Sequence, residues 1–203
     1  MTKLLFLGDS ITDSHHLFIN PPFGCGYVSL LSEKLYKLGY DFEITNLGVD
    51  GFTVSRLLER CKSQYLPVNA DITSILIGIN DIGLMMNTNR TSEQQQQMME
   101  IFLSNYEQLL CSLTQTQLIL MEPFIFPYPV EYRNWIPLVR QMSEGIAALA
   151  ARYHIPYIRL HDTLNQEGQQ YGMDSVTIDG IHLTAQGHEI LSEKLLHTLE
   201  SYV

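Results

Sequence analysis

The residues best suited to chemistry lie at opposite ends of the chain. Near the N-terminus an apolar run, Leu4–Leu7, leads into a turn that carries Ser10. Near the C-terminus Asp179 and His182 stand three positions apart, just before a helical pattern. A serine hydroxyl becomes a good nucleophile when a histidine takes its proton and a carboxylate holds that histidine. We therefore predict a triad of Ser10, His182 and Asp179.

Two segments between these ends could complete such a site. Each follows an apolar run typical of a strand: Asn-Leu-Gly-Val-Asp-Gly at 46–51 and Gly-Ile-Asn-Asp at 78–81. Acyl transfer needs hydrogen-bond donors aimed at the developing oxyanion. The backbone N–H groups of Ser10 and Gly48 and the side-chain amide of Asn80 would supply three. Taken singly, Gly48 is more simply a turn glycine and Asn80 a loop asparagine, so the prediction depends on their combination.

These blocks together resemble a known family. Residues 8–10 (Gly-Asp-Ser), Gly48, residues 78–81 and residues 179–182 (Asp-Gly-Ile-His) look like the four blocks of the SGNH (GDSL) hydrolases, in order and at the family's spacing. The resemblance implies that Ser10 is the nucleophile, His182 the base and Asp179 its partner, with Gly48 and Asn80 as oxyanion donors. Leu183 stands where many members have proline, a position without a catalytic role.

The apolar runs predict an α/β fold. Five short runs with little alternation suit strands that are covered on both faces; they are Leu4–Leu7, Phe42–Asn46, Ile72–Ile77, Gln117–Met121 and Ile155–Arg159. Helical patterns separate them, including a short helix over Val54–Gln64 and a long one with a capping box of Ser92 and Gln95. Alternation of this kind predicts a parallel sheet with helices on both faces. The resemblance implies a three-layer α/β/α sandwich, the flavodoxin-like strand order 2-1-3-4-5, and a single hydrolase domain over 1–203.

The net charge, the length of the apolar runs and the cysteine content limit the kinds of partner and location that we expect for this protein. A formal net charge of −10 argues against nucleic acid and anionic membranes, which both select basic surfaces. No apolar run approaches the ~18 residues of a membrane span, and the run after Lys3 is too short for a signal peptide. Three scattered cysteines predict buried, reduced thiols in a cytoplasmic protein, and no motif with metal-ligand or nucleotide-binding spacing is present. We expect neither a metal nor a cofactor. Similar enzymes commonly self-associate, and a homo-oligomer could close the cleft.

Substrate signals are confined to two loops, 13–26 and 122–135, which follow strands and should border the site. We expect substrate contacts from five residues: Asp9, Phe23, Asp81, Phe124 and Trp135. The stretch Met-Glu-Pro-Phe at 121–124 is similar to the bacterial acetylxylan esterase branch of the family, which suggests deacetylation of a carbohydrate. Two alternatives stay open: a lysophospholipase or thioesterase acting on longer acyl chains, and an inactive flavodoxin-like binding module.

Overall fold

The protein forms a five-stranded parallel sheet between two layers of helices. The structure, a computed structural model, describes residues 1–20, 22–63, 69–86 and 89–202. The strands are β1 (Thr2–Gly8), β2 (Phe42–Asn46), β3 (Ile72–Leu76), β4 (Gln117–Met121) and β5 (Tyr157–Ile158), in the order β2-β1-β3-β4-β5. The predicted strand order is therefore confirmed. The fifth strand is shorter than predicted, because only its two central residues pair with β4.

In the part of the chain that the structure describes, eight α-helices connect and cover the strands of this sheet. They are α1 (Ser10–Asp13), α2 (Tyr27–Lys37), α3 (Val54–Lys62), α4 (Ile79–Met86), α5 (Ser92–Ser112), α6 (Ile136–Tyr153), α7 (His161–Tyr171) and α8 (Ala185–Leu199). Three short 3₁₀ turns cover Val130–Asn134, Met173–Ser175 and Glu200–Tyr202. Helix α2 packs against α8 on one face, while α3 and α6 both contact α5 on the other. This division follows from right-handed crossovers that run in opposite directions from β1.

Two local predictions need correction. The capping box of α5 lies one residue earlier than predicted: Thr91 caps the helix, and its side chain and that of Gln94 bond each other's backbone N–H groups. Thr91 has the extended backbone that an N-cap requires. The short helix predicted over Val54–Gln64 ends at Lys62, and position 64 lies outside the described residues.

The core fills both sides of the sheet. Leu4–Leu7 of β1 are buried, as are all five residues of β3, so the two central strands are covered on both faces as predicted. No helix in the described ranges combines the length and apolarity needed to cross a membrane. The three cysteines form no disulfide, but the prediction that they are buried is wrong for Cys25 and Cys111, which are exposed. The rigid core leaves the carboxyl ends of β1, β2 and β3 at one edge, where the loops carrying polar residues begin.

Candidate active site

Ser10 is held at the edge of the sheet by the turn from β1 into α1. The preceding residue, Asp9, caps α1 by accepting a 3.1 Å hydrogen bond from the Ile11 N–H. This cap fixes Ser10 as the first residue of the helix. The Ser10 backbone N–H has no acceptor among the described residues, as expected for the first turn of a helix.

His182 lies within hydrogen-bonding distance of Ser10. Its Nε2 is 3.0 Å from Ser10 Oγ, and its Nδ1 is 2.7 Å from Asp179 Oδ2. The second oxygen of Asp179 accepts the backbone N–H groups of Ile181 at 3.0 Å and His182 at 2.8 Å. The Asp179 carboxylate therefore holds both the backbone of the 179–182 loop and the imidazole ring of His182 in place. With Nδ1 donating to Asp179, Nε2 is left to accept the Ser10 hydroxyl proton.

The charge of Asp179 is favoured by its hydrogen bonds. Partial burial opposes ionisation, but hydrogen bonds from the His182 ring and from the two backbone N–H groups outweigh it, and the pKa of Asp179 lies below its ordinary value. An ionised carboxylate is what stabilises the imidazolium formed when a histidine takes a proton.

Asn80 is the second residue of α4, which begins just after β3. Its Nδ2 donates a 3.0 Å hydrogen bond to the Phe52 carbonyl, which ties α4 to the loop after β2. An amide nitrogen carries two hydrogens, so one remains for a second acceptor. The predicted donor group thus lies at the predicted edge of the sheet.

The structure corrects the prediction for Gly48. Its N–H donates at 2.9 Å to the side-chain oxygen of Asn46, so it is not free to bind an oxyanion. A Cβ at position 48 would clash with the backbone of Thr12 and Asp13, which explains the glycine as a close contact beneath α1. Gly51, three residues on, has a φ of +70° and open space around its Cα, and its N–H has no acceptor among the described residues.

Asn46 is a site-building residue that the sequence analysis did not single out. It is buried, and its Nδ2 donates to the carbonyls of Thr12 at 2.8 Å and Phe23 at 3.1 Å. Together with the Gly48 bond, this one amide joins α1, the 13–26 loop and the loop after β2. The signal that could have identified Asn46 is its position at the end of a strand, just before the turn that contains Gly48.

The structure does not support the prediction that three aromatic side chains contact the substrate. Phe124 is only 1% exposed and packs edge-on against Phe126, and Trp135 is 6% exposed and packs on Tyr132. Phe23 packs against the core, and its carbonyl serves Asn46. None of these three side chains lines the cavity beside Ser10. These side chains pack beneath the loops, because burying an apolar ring lowers the free energy of the folded protein more than leaving it exposed on the surface does.

The two carboxyl groups predicted to touch substrate are buried instead. Asp9 caps α1, and Asp81 accepts the Val54 N–H at 3.1 Å at the start of α3. Burial raises the pKa of each to about 7; the nearby Asp50 adds to the upward shift of Asp9, and Asp9 adds to that of Asp81. Because both carboxyl groups are buried, with Asp9 1% and Asp81 8% exposed, they support the site from within the protein.

A cavity of about 520 Å³ opens beside Ser10. It is bordered by the loop after β1 and the segment that leads into α8, and its lining includes Ser10, Ser14, His15, Cys25, Asp50, Ile178, Asp179, His182 and His188. Its size is that of a small-molecule site. In the described parts of the chain no cluster of three or more His, Cys, Asp or Glu side chains could hold a metal ion.

Comparison with known proteins gives a consistent result. The sequence model of the GDSL-like Lipase/Acylhydrolase family matches residues 6–190. An acetylxylan esterase from Geobacillus stearothermophilus is 26% identical over 211 residues, which cover 97% of this chain and 93% of that protein. A crystal structure described as a GDSL-like lipase from Parabacteroides merdae aligns with a TM-score of 0.84 at 25% identity, covering 98% of this chain and 95% of that one. A mutant of Axe2, an acetyl-xylooligosaccharide esterase from Geobacillus, aligns with a TM-score of 0.79 at 24% identity, covering 97% and 93%.

Proposed function

Because the chain belongs to the GDSL-like lipase/acylhydrolase family and is a carboxylic ester hydrolase, we propose that it removes short acyl groups, chiefly acetyl, from carbohydrate esters. The observation that carries the proposal is the Ser10–His182–Asp179 chain, with distances of 3.0 and 2.7 Å. In this proposal residues 1–203 work as one domain without a metal or cofactor, since each proton transfer has a side chain to accept it.

The reaction would proceed by double displacement. His182 Nε2 takes the Ser10 proton as Oγ bonds to the ester carbonyl carbon. The tetrahedral intermediate collapses, the bond to the alcohol oxygen breaks, and His182 gives its proton to that oxygen. Water, deprotonated by His182, then attacks the acyl-enzyme and releases the carboxylic acid and free Ser10.

The oxyanion would be bound by three donors on the side of Ser10 away from His182. Two are the Ser10 N–H and the second hydrogen of the Asn80 amide, as predicted from the sequence. For the third we propose the Gly51 N–H in place of Gly48. Gly51 lies in the turn closed by the 3.2 Å bond from the Phe52 N–H to the Val49 carbonyl, and Asn80 binds the carbonyl of Phe52. Gly51 therefore directly precedes Phe52, whose carbonyl accepts the hydrogen bond from the Asn80 amide.

The preference for acetylated carbohydrate is supported by the acetylxylan esterase relative and by the polar side chains of the cavity. Ser14, His15 and Asp50 offer hydrogen-bond partners to a hydroxylated ligand. One observation favours a second candidate, an esterase or thioesterase for longer acyl chains. Ile178 lines the cavity and is exposed, as are Leu17, Phe18 and Ile19 in the adjoining loop. Such a group of exposed apolar side chains would suit an acyl chain.

Hydrolysis of p-nitrophenyl esters from acetyl to decanoyl, with Ser10→Ala as the blank, tests the proposal. We expect kcat/KM to fall steeply beyond butyrate, and Ser10→Ala to lose roughly 10³-fold or more of the rate. A maximum at octanoyl or longer would replace the acetyl preference with the second candidate. Near-wild-type activity of Ser10→Ala would refute the nucleophile assignment. Covalent labelling by a fluorophosphonate, absent in Ser10→Ala, checks the same residue without a substrate.

A further inference from the structure

A second histidine faces the cavity, and the proposed reaction does not use it. His188 lies in the first turn of α8, six residues after His182, and its side chain is one of those lining the cavity beside Ser10. It is only 8% exposed. A polar side chain buried to this degree normally forms hydrogen bonds, so a partner is expected for each of its two ring nitrogens.

The first ring nitrogen is committed to the protein. Nδ1 of His188 accepts a 3.2 Å hydrogen bond from the backbone N–H of Tyr27, at the start of α2. The two rings also stack, with centroids 6.4 Å apart, and the Tyr27 hydroxyl is fixed by a 3.0 Å hydrogen bond with Thr12. Because a backbone N–H can only donate, Nδ1 must be the unprotonated nitrogen of the ring. The hydrogen of the neutral imidazole is therefore on Nε2.

The second ring nitrogen has no partner. Nε2 of His188 makes no hydrogen bond to any described residue, yet it is not among the fully enclosed polar atoms. Since His188 lines the cavity, a partner for this nitrogen can lie there. Burial lowers the pKa of His188 to about 4, with the nearby His182 acting in the same direction. The ring therefore stays neutral, with Nε2–H as a donor, throughout the pH range in which a serine esterase works.

The chemistry at Ser10 decides which part of a substrate this donor can meet. His182 must protonate the departing alcohol oxygen, so the alcohol part of the ester lies on the His182 side of Ser10. Leu183, Thr184 and Ala185, which follow His182 in the chain, line the same cavity, as does His188. The group within reach of Nε2–H is thus an oxygen of the alcohol rather than of the acyl group.

We propose that the Nε2–H of His188 donates a hydrogen bond to a hydroxyl or ring oxygen of the sugar that bears the ester. His188 is then a positioning residue that makes the enzyme prefer esters of polyhydroxylated alcohols over esters of simple alcohols. This inference rests on the proposed function, because it assumes that the alcohol part is a carbohydrate.

Two substitutions separate the roles of the two nitrogens. In His188→Asn the side-chain oxygen takes the place of Nδ1 and can still accept the Tyr27 N–H, but the donor at Nε2 is lost. In His188→Gln the longer side chain brings an amide N–H to the place of Nε2. The readout is the ratio of kcat/KM for an acetylated methyl xyloside to that for p-nitrophenyl acetate, whose alcohol part has no hydroxyl or ring oxygen.

We expect His188→Asn to lower this ratio about five- to tenfold, mainly through a higher KM for the xyloside ester, the scale of one neutral hydrogen bond. His188→Gln should recover most of the ratio. An unchanged ratio in His188→Asn, while the wild-type enzyme hydrolyses the xyloside ester, would overturn the role of His188 and leave the proposed function standing. A wild-type enzyme that cleaves p-nitrophenyl acetate but not the xyloside ester would instead overturn the proposed substrate class.

A measurement on the wild-type protein avoids any effect of substitution on folding. In enzyme labelled with ¹⁵N-histidine, the His188 Nε2–H resonance should shift on titration with methyl β-xyloside, which carries the alcohol part without the ester. The Nδ1 resonance, tied to Tyr27, should move less. If the Nε2–H resonance does not respond at saturating xyloside, the proposed hydrogen bond does not form.

Discussion

The side-chain oxygen of Asn46 accepts the backbone N–H of Gly48 at 2.9 Å, so one of the two glycine N–H groups in the 46–51 segment is already hydrogen-bonded within the protein. An N–H that already has a buried acceptor gains little from turning toward an oxyanion, and turning away would leave the Asn46 oxygen unpaired. The same asparagine donates to the carbonyls of Thr12 and Phe23. Gly48 therefore belongs to the support beneath Ser10, and this is why we propose Gly51 as the third oxyanion donor.

Alanine substitutions at Gly48 and Gly51 should distinguish a structural role from hydrogen-bond donation to the oxyanion. Gly48→Ala places a Cβ against the backbone of Thr12 and Asp13, and we expect a loss of about 1–3 kcal/mol in the free energy of unfolding. Gly51→Ala meets no neighbour but strains a φ of +70°, at a cost of about 1 kcal/mol. Urea denaturation measures both values.

Gly39 provides a matched control for Gly51. It also has a positive φ, +78°, and open space around its Cα, but it follows α2 away from the cavity. Gly39→Ala and Gly51→Ala should cost similar stability, whereas Gly51→Ala alone should lower kcat, by about tenfold, because the strained turn tilts its N–H. Equal kcat values in the two variants would argue against Gly51 as a donor.

Asn80→Ala should reduce turnover. Removing one oxyanion donor typically lowers kcat by roughly 10²–10³-fold while the KM for an acetyl ester changes little. The substitution also removes the bond to the Phe52 carbonyl, so its effect on stability should be measured alongside. Asn105→Ala, which removes a half-buried asparagine that donates to Ser55, is the control for loss of an amide elsewhere. A raised KM with unchanged kcat would make Asn80 a binding residue.

The buried acids predict how stability depends on pH. Burial raises the pKa of Asp9 and Asp81 to about 7, against an ordinary value of 3.8. Between these values the folded protein holds more protons than the unfolded chain, so the stabilising contribution of these groups is present at low pH and is lost as the pH rises through about 7. The free energy of unfolding should therefore fall between pH 6 and pH 8.5.

Asp81→Asn tests this dependence with little change in shape. The amide oxygen can still accept the Val54 N–H, but the side chain no longer titrates. The variant should lose less stability than the wild type between pH 6 and pH 8.5, as followed by urea denaturation at both values. Parallel losses in the two proteins would show that Asp81 is not the titrating group.

The limits of the sequence analysis are physical. Apolar runs and a Ser…Asp-x-x-His spacing were sufficient for the parallel sheet and for the three side chains at its edge, because burial and local turns determine them. The strand order was implied only by the family resemblance, since periodicity does not determine which strands are neighbours. The segment 46–51 contains two glycines, and only the position of Asn46 shows which N–H is taken. Phe124 and Trp135 lie in a loop that passes over the core, so their burial depends on tertiary packing. Helices α4 and α7 were not predicted, since the first is short and the second largely polar.

Glu122, in the stretch that resembles the acetylxylan esterases, should matter for stability rather than for substrate. It is 5% exposed, and its Oε2 accepts the N–H groups of Leu160 at 2.6 Å and His161 at 2.8 Å, at the start of α7. Its Oε1 accepts from Ser143 and lies 3.3 Å from Arg159. A buried carboxylate with this many donors stabilises the fold because every donor would otherwise lose its partner.

Glu122→Gln and Glu144→Gln form a matched pair. Both glutamates contact Arg159, but the Glu144 side chain is 70% exposed. We expect Glu122→Gln to cost about 2–3 kcal/mol in the free energy of unfolding, because an amide group must face either Arg159 or a backbone N–H. Glu144→Gln should cost less than about 1 kcal/mol, as exposed ion pairs do. Similar losses in the two variants would mean that the arginine contact, and not the buried cap of α7, accounts for the role of Glu122.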